Sequence, residues 1–502
     1  MSIALTWPVH ASVAAKAKSP ATGVKRRWSV LGLTRIHEAI QCRPTIRLAQ
    51  SLEVSQWRSQ GELRRLQSDK LRRILAHALE RCPYYRRRWL MSDQSSHRMD
   101  GLASWPLLSR AELRAWVPAL RWVGMPGRML VDRTHGTTDD PLTYYWDRRR
   151  QAWDKANRIR GHAWHGLTFR DPELHLWPLD PPRSRVARGK AWLRSGRDRR
   201  LGELQIDSLG AFRENLAASW RRWRQFDPLR VTAYPSTLAR FIVEGRRAGC
   251  ALRRGSLRRV FLTGEVTFDW QRRLVEHELG VETSQVYGLQ EVGALAFACE
   301  LGRWHVSAES AFIEFLNNGR HAQPGELAEV VVTTLESRAM PLVRYCTGDI
   351  VRVAESACPC NRGLAVMPPV LGRSTDFLLA EDGRWIAPSE VVASLGHVLE
   401  DGSFQVVQSV GGEIEVRVEA RVFPRRCRHP EILRRVARLV GDGADCTIRQ
   451  TSALSRSVFG KCRYVSSQRT TGGLARPADA LTGALCRQTQ VPAILVGSRP
   501  PG

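Results

Sequence analysis

Residues 340–349 read MPLVRYCTGD, and this stretch decides how the rest of the chain is interpreted. An apolar segment ends at Thr347 and Gly348, and the carboxylate of Asp349 follows directly. A carboxylate in that position is suited to accept hydrogen bonds from both hydroxyls of a ribose, as the acidic residue of dinucleotide-binding folds does. An ordinary turn capped by an aspartate would have the same sequence, so this stretch alone does not establish a nucleotide site.

Three other short segments carry groups that suit nucleotide chemistry. Residues 134–141 (THGTTDDP) follow a candidate strand, and their hydroxyls and glycine can form a backbone nest for phosphate oxygens. Residues 287–291 (YGLQE) pair a stacking ring with a carboxylate that can hold Mg²⁺. Residues 372–376 (GRSTD) stand where the chain changes to a smaller C-terminal unit. Each segment alone also fits an ordinary polar turn.

The composition is that of a globular protein. The chain has 502 residues, of which 43% are hydrophobic and 25% charged, so we expect two or more domains rather than a fibrous, disordered or membrane-bundle protein. Its 11 cysteines are too few for a disulfide scaffold. The sequence has no apolar run of about 18 residues and no signal core near its start, which predicts a soluble, cytoplasmic protein with reduced thiols.

The basic residues exceed the acidic ones, 77 to 49, and give a net charge of +28. Such a field favours anionic partners, from nucleotides and coenzyme A to nucleic acids. The basic residues are spread along the whole chain, and no nucleic-acid-binding motif accompanies them, so specific nucleic-acid binding is the weaker alternative. Only seven of the 77 are lysine, and Lys461 is the single lysine after Lys190. An isolated lysine among arginines indicates a need for a compact ammonium, although chance survival explains it too.

Hydrophobic periodicity predicts an α/β chain. Apolar residues at helical spacing between positions 63 and 79 predict a helix that Pro83 ends, and Ser109 begins another. Five strand-like runs alternate with helical stretches, which is typical of buried sheets flanked by helices. These runs are residues 129–132, 259–262, 294–298, 312–316 and 329–334. A small α+β unit follows, with strands near 404–408 and 413–418 and a helix near 430–440.

The sequence resembles the adenylate-forming superfamily, whose motifs occur in the same order along the chain. The matching segments are residues 134–141, 287–291, 340–349, 372–376 and 459–461 (FGK). The resemblance is strongest to the phenylacetate–CoA ligase-like branch, which includes CapK-like proteins of capsular polysaccharide synthesis. It extends over residues 60–465 and includes the stretches 74–85 (ILAHALERCPYY), 105–113 (WPLLSRAEL) and 261–265 (FLTGE). It implies an α/β fold with a large N-terminal domain of layered sheets flanked by helices and a small, mobile α+β C-terminal domain.

The predicted domain boundaries follow from this resemblance. They are a poorly ordered extension at 1–55, a large ATP- and acyl-binding domain at 56–373, a small domain at 374–465 and a disordered tail at 466–502. The implied activity is that of an AMP-forming acid–CoA ligase. A carboxylic acid attacks the α-phosphorus of ATP to give an acyl-adenylate, and coenzyme A then takes the acyl group. A dimer is the expected assembly.

The resemblance also implies roles for individual residues. The ATP- and AMP-binding positions are matched by Thr134, Gly136 and Thr137 in the phosphate loop, Gly264 and Glu265 beside the adenine, Tyr287 and Gly288 at the adenine stack, Asp349 at the ribose, and Arg373. The catalytic positions are matched by Lys461 for adenylation, Glu291 as the Mg²⁺ carboxylate and Thr138 in the phosphate loop. Thr375 and Asp376 match the hinge.

Three departures from the family pattern leave other outcomes open. Asp139 and Asp140 replace the glycine and lysine that usually follow the two threonines of the phosphate loop, and two carboxylates repel a triphosphate unless Mg²⁺ intervenes. Gln290 stands where a small hydroxyl residue is usual, and Thr375 replaces the hinge aspartate. An adenylating enzyme with an acceptor other than coenzyme A and a catalytically degenerate relative therefore stay as alternatives.

Two further expectations concern a metal and the acyl pocket. Cys299, His305, Cys358 and Cys360 supply three thiolates and an imidazole, the donor set of a structural zinc site, although unrelated reduced cysteines remain the alternative. The acyl pocket is expected near residues 234–236, 263–266 and Tyr287. By resemblance, we expect it to take an aryl or arylacetic acid.

Overall fold

The computed structural model describes Glu38 and residues 43–90, 102–134, 141–179, 184–213, 216–250, 255–354, 357–396, 398–399, 403–420, 429–457 and 460–469. Within them, the helices are α1 Thr45–Ser55, α2 Gln60–Arg81, α3 Pro83–Leu90, α4 Arg110–Ala115, α5 Val117–Leu120, α6 Arg148–Ala163, α7 Arg185–Arg200, α8 Ser208–Arg213, α9 Leu216–Phe226, α10 Pro235–Arg247, α11 Asp269–Leu279, α12 Pro388–Gly396 and α13 His429–Val440. Two 3₁₀ turns, Leu102–Ser104 and Ser374–Asp376, complete the helical elements of this part of the chain.

In the described residues, the strands form two large sheets, one small sheet and two hairpins. They are β1 Leu130–Arg133, β2 Thr143–Trp146, β3 Glu173–Trp177, β4 Glu203–Asp207, β5 Arg230–Ala233, β6 Arg259–Thr263, β7 Thr283–Leu289, β8 Gly293–Ala298, β9 Trp304–Val306, β10 Ala311–Asn317, β11 Arg320–His321, β12 Leu327–Thr334, β13 Tyr345–Arg352, β14 Val366–Met367, β15 Val370–Arg373, β16 Leu378–Leu379, β17 Trp385–Ile386, β18 Phe404–Gln408, β19 Ile414–Glu419, β20 Cys446–Thr451 and β21 Val465–Ser467.

The eight-stranded sheet sets the position of the site. Its order is β14-β9-β8-β7-β6-β5-β3-β4, and the run from β4 through β3, β5 and β6 to β7 is parallel. Strand β5 is buried along its whole length, as expected for a parallel sheet covered on both faces. Because ligands in such sheets bind outside the carboxyl ends of the strands, we expect a ligand site beside the residues just after β5 and β6. The α/β fold class is confirmed.

The helix starts are set by local chemistry that was visible in the sequence. Ser59 and Glu62 form a capping box at the start of α2, and Ser109 and Glu112 form another at the start of α4. Helix α2 ends before Pro83, whose ring cannot continue it. The expected helix between 63 and 79 and the expected start at Ser109 are therefore present.

The second large sheet, β11-β10-β12-β13-β15, is antiparallel and includes the end of the MPLVRYCTGD segment. Residues 345–349 lie on β13, and Asp349 is paired directly with Arg373 on β15. This register places an acidic and a basic side chain from distant parts of the sequence next to each other. The pairing is the structural reason why the 344–349 and 372–376 segments belong to one site.

After β15, the chain forms a smaller unit with a core of its own. The sheet β20-β19-β18-β21 packs with α12 and α13 around apolar residues between 378 and 465, and Phe268 from the preceding region joins this core. The short turn Ser374–Asp376 lies at the transition. A domain boundary at 373/374 stays a prediction, now supported by the change of core at this point.

The expectation of poor order at 1–55 is wrong for its last part. Helix α1 is well formed because Leu52 is 1% exposed and packs in a cluster with Trp153 and Ala156 of α6. Its last residue, Ser55, donates a hydrogen bond to Glu309 Oε1. The predicted start of a disordered tail at 466 is also wrong, because Ser466 and Ser467 in strand β21 pair with Val407 and Gln408. Residues 1–37, 39–42 and 470–502 lie outside the described residues, so the expected disorder of these ends stays a prediction.

Candidate active site

A cavity of about 710 Å³ opens where the carboxyl ends of the parallel strands face the smaller unit. Its walls include residues from β5, β6 and β7 and from the loops after them, together with Arg373 and Lys461. Volumes of this size hold drug-sized ligands and cofactors. The sequence-predicted residues that line it are Thr134, Gly264, Glu265, Tyr287, Gly288, Glu291, Asp349, Arg373, Asp376 and Lys461.

The carboxylate of Asp349 is fixed from two sides. The hydroxyl of Tyr287 donates to Asp349 Oδ2 at 2.8 Å, and Arg373 Nε lies 3.7 Å from Asp349 Oδ1. Burial raises the pKa of Asp349, while Arg373 and the Tyr287 hydroxyl oppose that rise. The Tyr287 ring is 7% exposed and stacks near Trp304, with ring centroids 6.2 Å apart. A ribose at Asp349 would therefore meet an oriented acceptor next to an aromatic face.

Gly264 follows β6 and is required by its surroundings. Its φ is +75°, and a Cβ at this position would lie 2.6 Å from Cε1 of Tyr234. A side chain at this position would be unfavourable for two reasons, the left-handed backbone and the close ring of Tyr234. The carbonyl of Gly264 accepts a hydrogen bond from Lys461 Nζ at 2.8 Å, so the bare backbone also serves as a contact for the lysine.

Lys461 reaches the cavity from the smaller unit. Its Nζ lies 4.2 Å from the centroid of the Tyr234 ring, in a cation–π geometry. Burial lowers the pKa of Lys461 to about 8, and the nearby charge of Glu265 counteracts part of that lowering. The lone C-terminal lysine is thus a partly desolvated ammonium held against the large domain's strand ends, and its adenylation role stays a prediction.

The carboxylate of Glu265 is not free in the cavity but holds the loop after β6 in place. Its carboxylate accepts hydrogen bonds from the backbone N–H and the hydroxyl of Ser236, both at 3.0 Å. Burial raises the pKa of Glu265, and Lys461 is the largest opposing influence. Glu265 therefore ties the loop after β6 to the start of α10 and contributes negative charge near the ammonium.

Glu291 is held by two donors that the sequence did not reveal. The hydroxyl of Tyr345 donates to Glu291 Oε1 at 2.9 Å, and Arg110 Nη1 lies 3.2 Å from the same oxygen. Among the described residues, Oε2 accepts no hydrogen bond that would compete with a cation. Arg110 comes from the capped helix α4, which explains why residues 105–113 belong with the motifs.

The phosphate loop is described only at its start. Thr134 is 4% exposed, and its Oγ1 accepts a hydrogen bond from the backbone N–H of Leu142 at 2.9 Å. This bond closes the loop's base. Gly136, Thr137 and Thr138, together with Asp139 and Asp140, lie outside the described residues, so their predicted roles stay predictions.

Gly288 and the hinge residues have structural surroundings that fit their predicted positions. A Cβ on Gly288 would lie 2.5 Å from the carbonyl oxygen of Gly293, so only glycine fits between β7 and β8. Arg463, two residues after Lys461, donates to the carbonyl of Thr375 and to Asp376 Oδ1, both at 2.6 Å. No sequence signal pointed to Arg463, yet it joins the segment that carries Lys461 to the predicted hinge.

Four predicted metal ligands converge behind the site. The ligand atoms of Cys299, His305, Cys358 and Cys360 all lie within 4.8 Å of one another. His305 Nδ1 lies 3.1 Å from the carbonyl oxygen of Leu364, which leaves Nε2, 3.2 Å from Cys360 Sγ, as the ligand atom. The eight cysteines that the structure describes are all free of disulfides. Three thiols and one imidazole fit tetrahedral zinc.

No helix in the described part of the chain is both long and apolar enough to cross a membrane.

Comparison with known proteins finds relatives in sequence and in fold. No protein-family model matches the sequence. The phenylacetate–coenzyme A ligase of Thermus thermophilus is 26% identical over 442 residues, covering 80% of this chain and 96% of the relative. The Escherichia coli enzyme of the same name is 26% identical over 448 residues, covering 82% and 97%.

A solved structure of similar fold is a 2-hydroxyisobutyryl-CoA ligase in the postadenylation state with an acyl-AMP. It has a TM-score of 0.63 and 18% identity and covers 85% of this chain and 91% of that chain. The same ligase in the thioesterification state has a TM-score of 0.53, with 19% identity and coverage of 86% and 94%. The chain is therefore similar in sequence to phenylacetate–coenzyme A ligases and similar in fold to a 2-hydroxyisobutyryl-CoA ligase.

Proposed function

We propose that this protein activates a carboxylic acid with ATP to an acyl-adenylate and then transfers the acyl group to coenzyme A. The observation that carries this is the convergence of Lys461 with the Tyr287–Asp349–Arg373 set on one cavity, although the residues lie far apart in the sequence. The curated relatives are named as ligases for phenylacetate and coenzyme A, and they match this chain over nearly their whole length.

The chemistry follows from where the charges lie. Asp349 accepts from the ribose hydroxyls, while the Tyr287 face stacks on the base. As the acid's carboxylate attacks the α-phosphorus, negative charge develops on both groups, and the ammonium of Lys461 stabilises it. No covalent enzyme intermediate is needed, because positioning and electrostatics supply most of the catalysis in phosphoryl chemistry of this kind.

Glu291 is the residue that we propose for Mg²⁺. Oxygen ligands suit this hard cation, and both protein donors at Glu291 bind the same oxygen, Oε1. When bound, the metal neutralises part of the phosphate charge. Arg110 and Tyr345 hold the carboxylate in a fixed orientation, so they act as positioning residues for Glu291.

The cluster of Cys299, His305, Cys358 and Cys360 is proposed to hold one structural zinc ion. It joins β8 and β9 to the loop before β14, and β8 is the strand that pairs with the Tyr287 strand. Zinc there would supply no reacting group. It would fix the far side of the sheet edge that carries the aromatic wall of the site.

Coenzyme A as the acceptor, a cytoplasmic location and a dimer are further parts of this proposal. The first is supported by the names of the relatives, and the second by the need for ATP and reduced thiols. None of them alters the proposal for the first half-reaction, in which the acid and ATP form the acyl-adenylate.

The test is ATP–pyrophosphate exchange over a panel of carboxylic acids with Mg²⁺. Exchange that depends on both acid and Mg²⁺ is expected for the wild type. Asp349→Asn should weaken ATP binding, while Asp382→Asn, on an exposed turn outside the cavity lining, serves as the matched control. ATP binding without exchange for any acid would contradict the proposal.

A further inference from the structure

Helix α6 presents a charged stripe to the cavity. Arg150, Asp154 and Arg158 are spaced four residues apart, which places them on one helix face, and all three line the cavity. Aromatic residues from neighbouring elements, Tyr144 and Trp177, line the same region. The wall is therefore aromatic and charged at once, which a simple hydrophobic acid does not require.

At the centre of the stripe, both carboxylate oxygens of Asp154 accept hydrogen bonds. Asp154 Oδ1 accepts from the backbone N–H of Ala294 at 2.7 Å, and Asp154 Oδ2 accepts from Arg158 Nε at 3.2 Å. These bonds and the two arginines lower the pKa of Asp154 despite its burial. Asp154 is thus a fixed anion, and its charge is already shared with Arg158.

The two arginines on either side are incompletely paired. Arg150 is 7% exposed, donates from Nη2 to the carbonyl of Gln290 at 2.6 Å, and has Nε and Nη1 buried without a hydrogen-bond partner in the described structure. Arg158 uses Nε for Asp154, and its two Nη groups make no hydrogen bond with the described residues. Arg158 is also attracted by the charges of Glu173 and Glu203, but these carboxylates are paired with Arg230 and Lys155. With these pairs included, the groups around the stripe carry one more positive charge than negative charges.

Such an arrangement disfavours an apolar ligand. Burying a charged or polar donor without a partner costs about 1–3 kcal/mol, and more for a charged group. A hydrocarbon side chain would displace water from Arg158 and replace it with nothing that accepts a hydrogen bond. An anionic group there would instead accept hydrogen bonds from the two Nη groups of Arg158, which match a carboxylate geometrically.

One end of the stripe, Arg158, lies near Tyr234, which belongs to the expected acyl pocket. Tyr234 packs under Lys461 and makes an edge contact with Trp177, with ring centroids 4.6 Å apart. The positive charge of Arg158 opposes the rise in the pKa of the Tyr234 hydroxyl, which places the guanidinium near the far end of that ring. An acid whose carboxylate meets Lys461 would extend past Tyr234 toward Arg158.

We propose that the acid activated here carries a second anionic group, which Arg158 binds and Arg150 supports by its charge. The inference rests on the proposed function, because it names the substrate class for that same cavity. The aromatic walls allow a ring between the two anionic ends. Phenylacetate itself would be a poor substrate, since it offers nothing to Arg158.

The experiment compares matched acids in ATP–pyrophosphate exchange. The pairs are phenylacetic acid with para-carboxyphenylacetic acid and hexanoic acid with adipic acid. In the wild type, kcat/KM for at least one diacid should exceed that for the matched monoacid by about 100-fold. This factor corresponds to the free energy of a hydrogen bond between charged groups. Arg158→Met should remove about 100-fold for that diacid and leave the KM for ATP unchanged.

Two further variants keep the test decisive. Arg158→Met leaves Asp154 without its guanidinium partner. The double variant Asp154→Ala/Arg158→Met removes both charges and should gain activity with the neutral acids. Arg149→Met is the control, because Arg149 lies on the same helix but binds Glu336 outside the cavity lining. Urea unfolding of each variant shows whether it is folded.

Each result decides between the two proposals. A wild type that prefers neutral acids overturns the inference and leaves the proposed function intact. A diacid preference that Arg158→Met does not change overturns the role of Arg158. If the protein binds ATP but none of the acids supports pyrophosphate exchange, the proposed function is overturned and the inference with it. The expected shift in acid preference, with ATP kinetics constant, supports both.

Discussion

Replacing Lys461 with methionine separates the chemistry of the site from its folding. Methionine keeps most of the side chain's length but removes the ammonium that donates to the Gly264 carbonyl at 2.8 Å. Because that ammonium is proposed to stabilise charge only during adenylation, we expect ATP binding to persist. The loss of one such preorganised group typically costs about 100- to 1,000-fold in kcat.

The same substitution has a calculable effect on stability. The pKa of Lys461 falls from 10.5 to about 8 because burial disfavours its charged form. At about 1.4 kcal/mol for each pKa unit, keeping the ammonium at neutral pH costs the folded state up to about 3 kcal/mol. Between these pKa values the unfolded chain binds more protons, so wild-type stability rises with pH across this window. The methionine variant should therefore be no less stable at pH 7, and any advantage should vanish above pH 10.5.

The assays are pyrophosphate exchange for the first half-reaction and thioester formation from synthetic acyl-adenylate for the second. Adenylation by the wild type, followed as kcat/KM for ATP, should decline as pH rises through about 8, because the ammonium then loses its proton. Lys190→Met, at an exposed lysine outside the cavity lining, is the control. Exchange at the wild-type rate in the Lys461→Met protein, or equal losses in both half-reactions, would refute the reasoning.

Three other changes test separate parts of the site. Purified protein should contain one equivalent of zinc that Cys358→Ser loses together with thermal stability, and metal-free protein of full stability would remove the zinc proposal. Asp349→Asn should raise the KM for ATP about 10- to 100-fold, because a charged acceptor for the ribose is lost, and an unchanged KM would count against the ribose role. Gly264→Ala should lower stability and exchange more than Gly302→Ala. Both glycines have positive φ, +75° and +73°, but only Gly264 lies against a ring, so equal effects would show that the contact does not matter.

Much of the fold followed from local sequence signals. The capping boxes at Ser59 and Ser109 and the proline after α2 act within a few residues, so their letters predict helix bounds directly. The α/β class followed from alternating buried strands and helices. Helix α1 was missed because its burial depends on α6, about 100 residues later, and no local pattern reveals that contact.

The site was predictable where its chemistry is tied to short motifs. Asp349, Tyr287 and Lys461 were singled out from spacing and resemblance, and they do line one cavity. Arg110 and Arg463 were missed because each acts through a distant partner, Glu291 and Asp376. The charged stripe on α6 was missed because its residues look like an ordinary solvated helix face in an arginine-rich chain. Only the packing of α6 against the sheet shows that this face borders the cavity.

The central claim is that the acid's own carboxylate attacks the α-phosphorus of ATP in this cavity, and an oxygen-18 transfer experiment tests it most directly. The acid that supports pyrophosphate exchange is prepared with oxygen-18 in its carboxylate and incubated with ATP, Mg²⁺ and coenzyme A. The account predicts one labelled oxygen in the AMP released and none in the pyrophosphate. Labelled inorganic phosphate, or AMP without label, would contradict it.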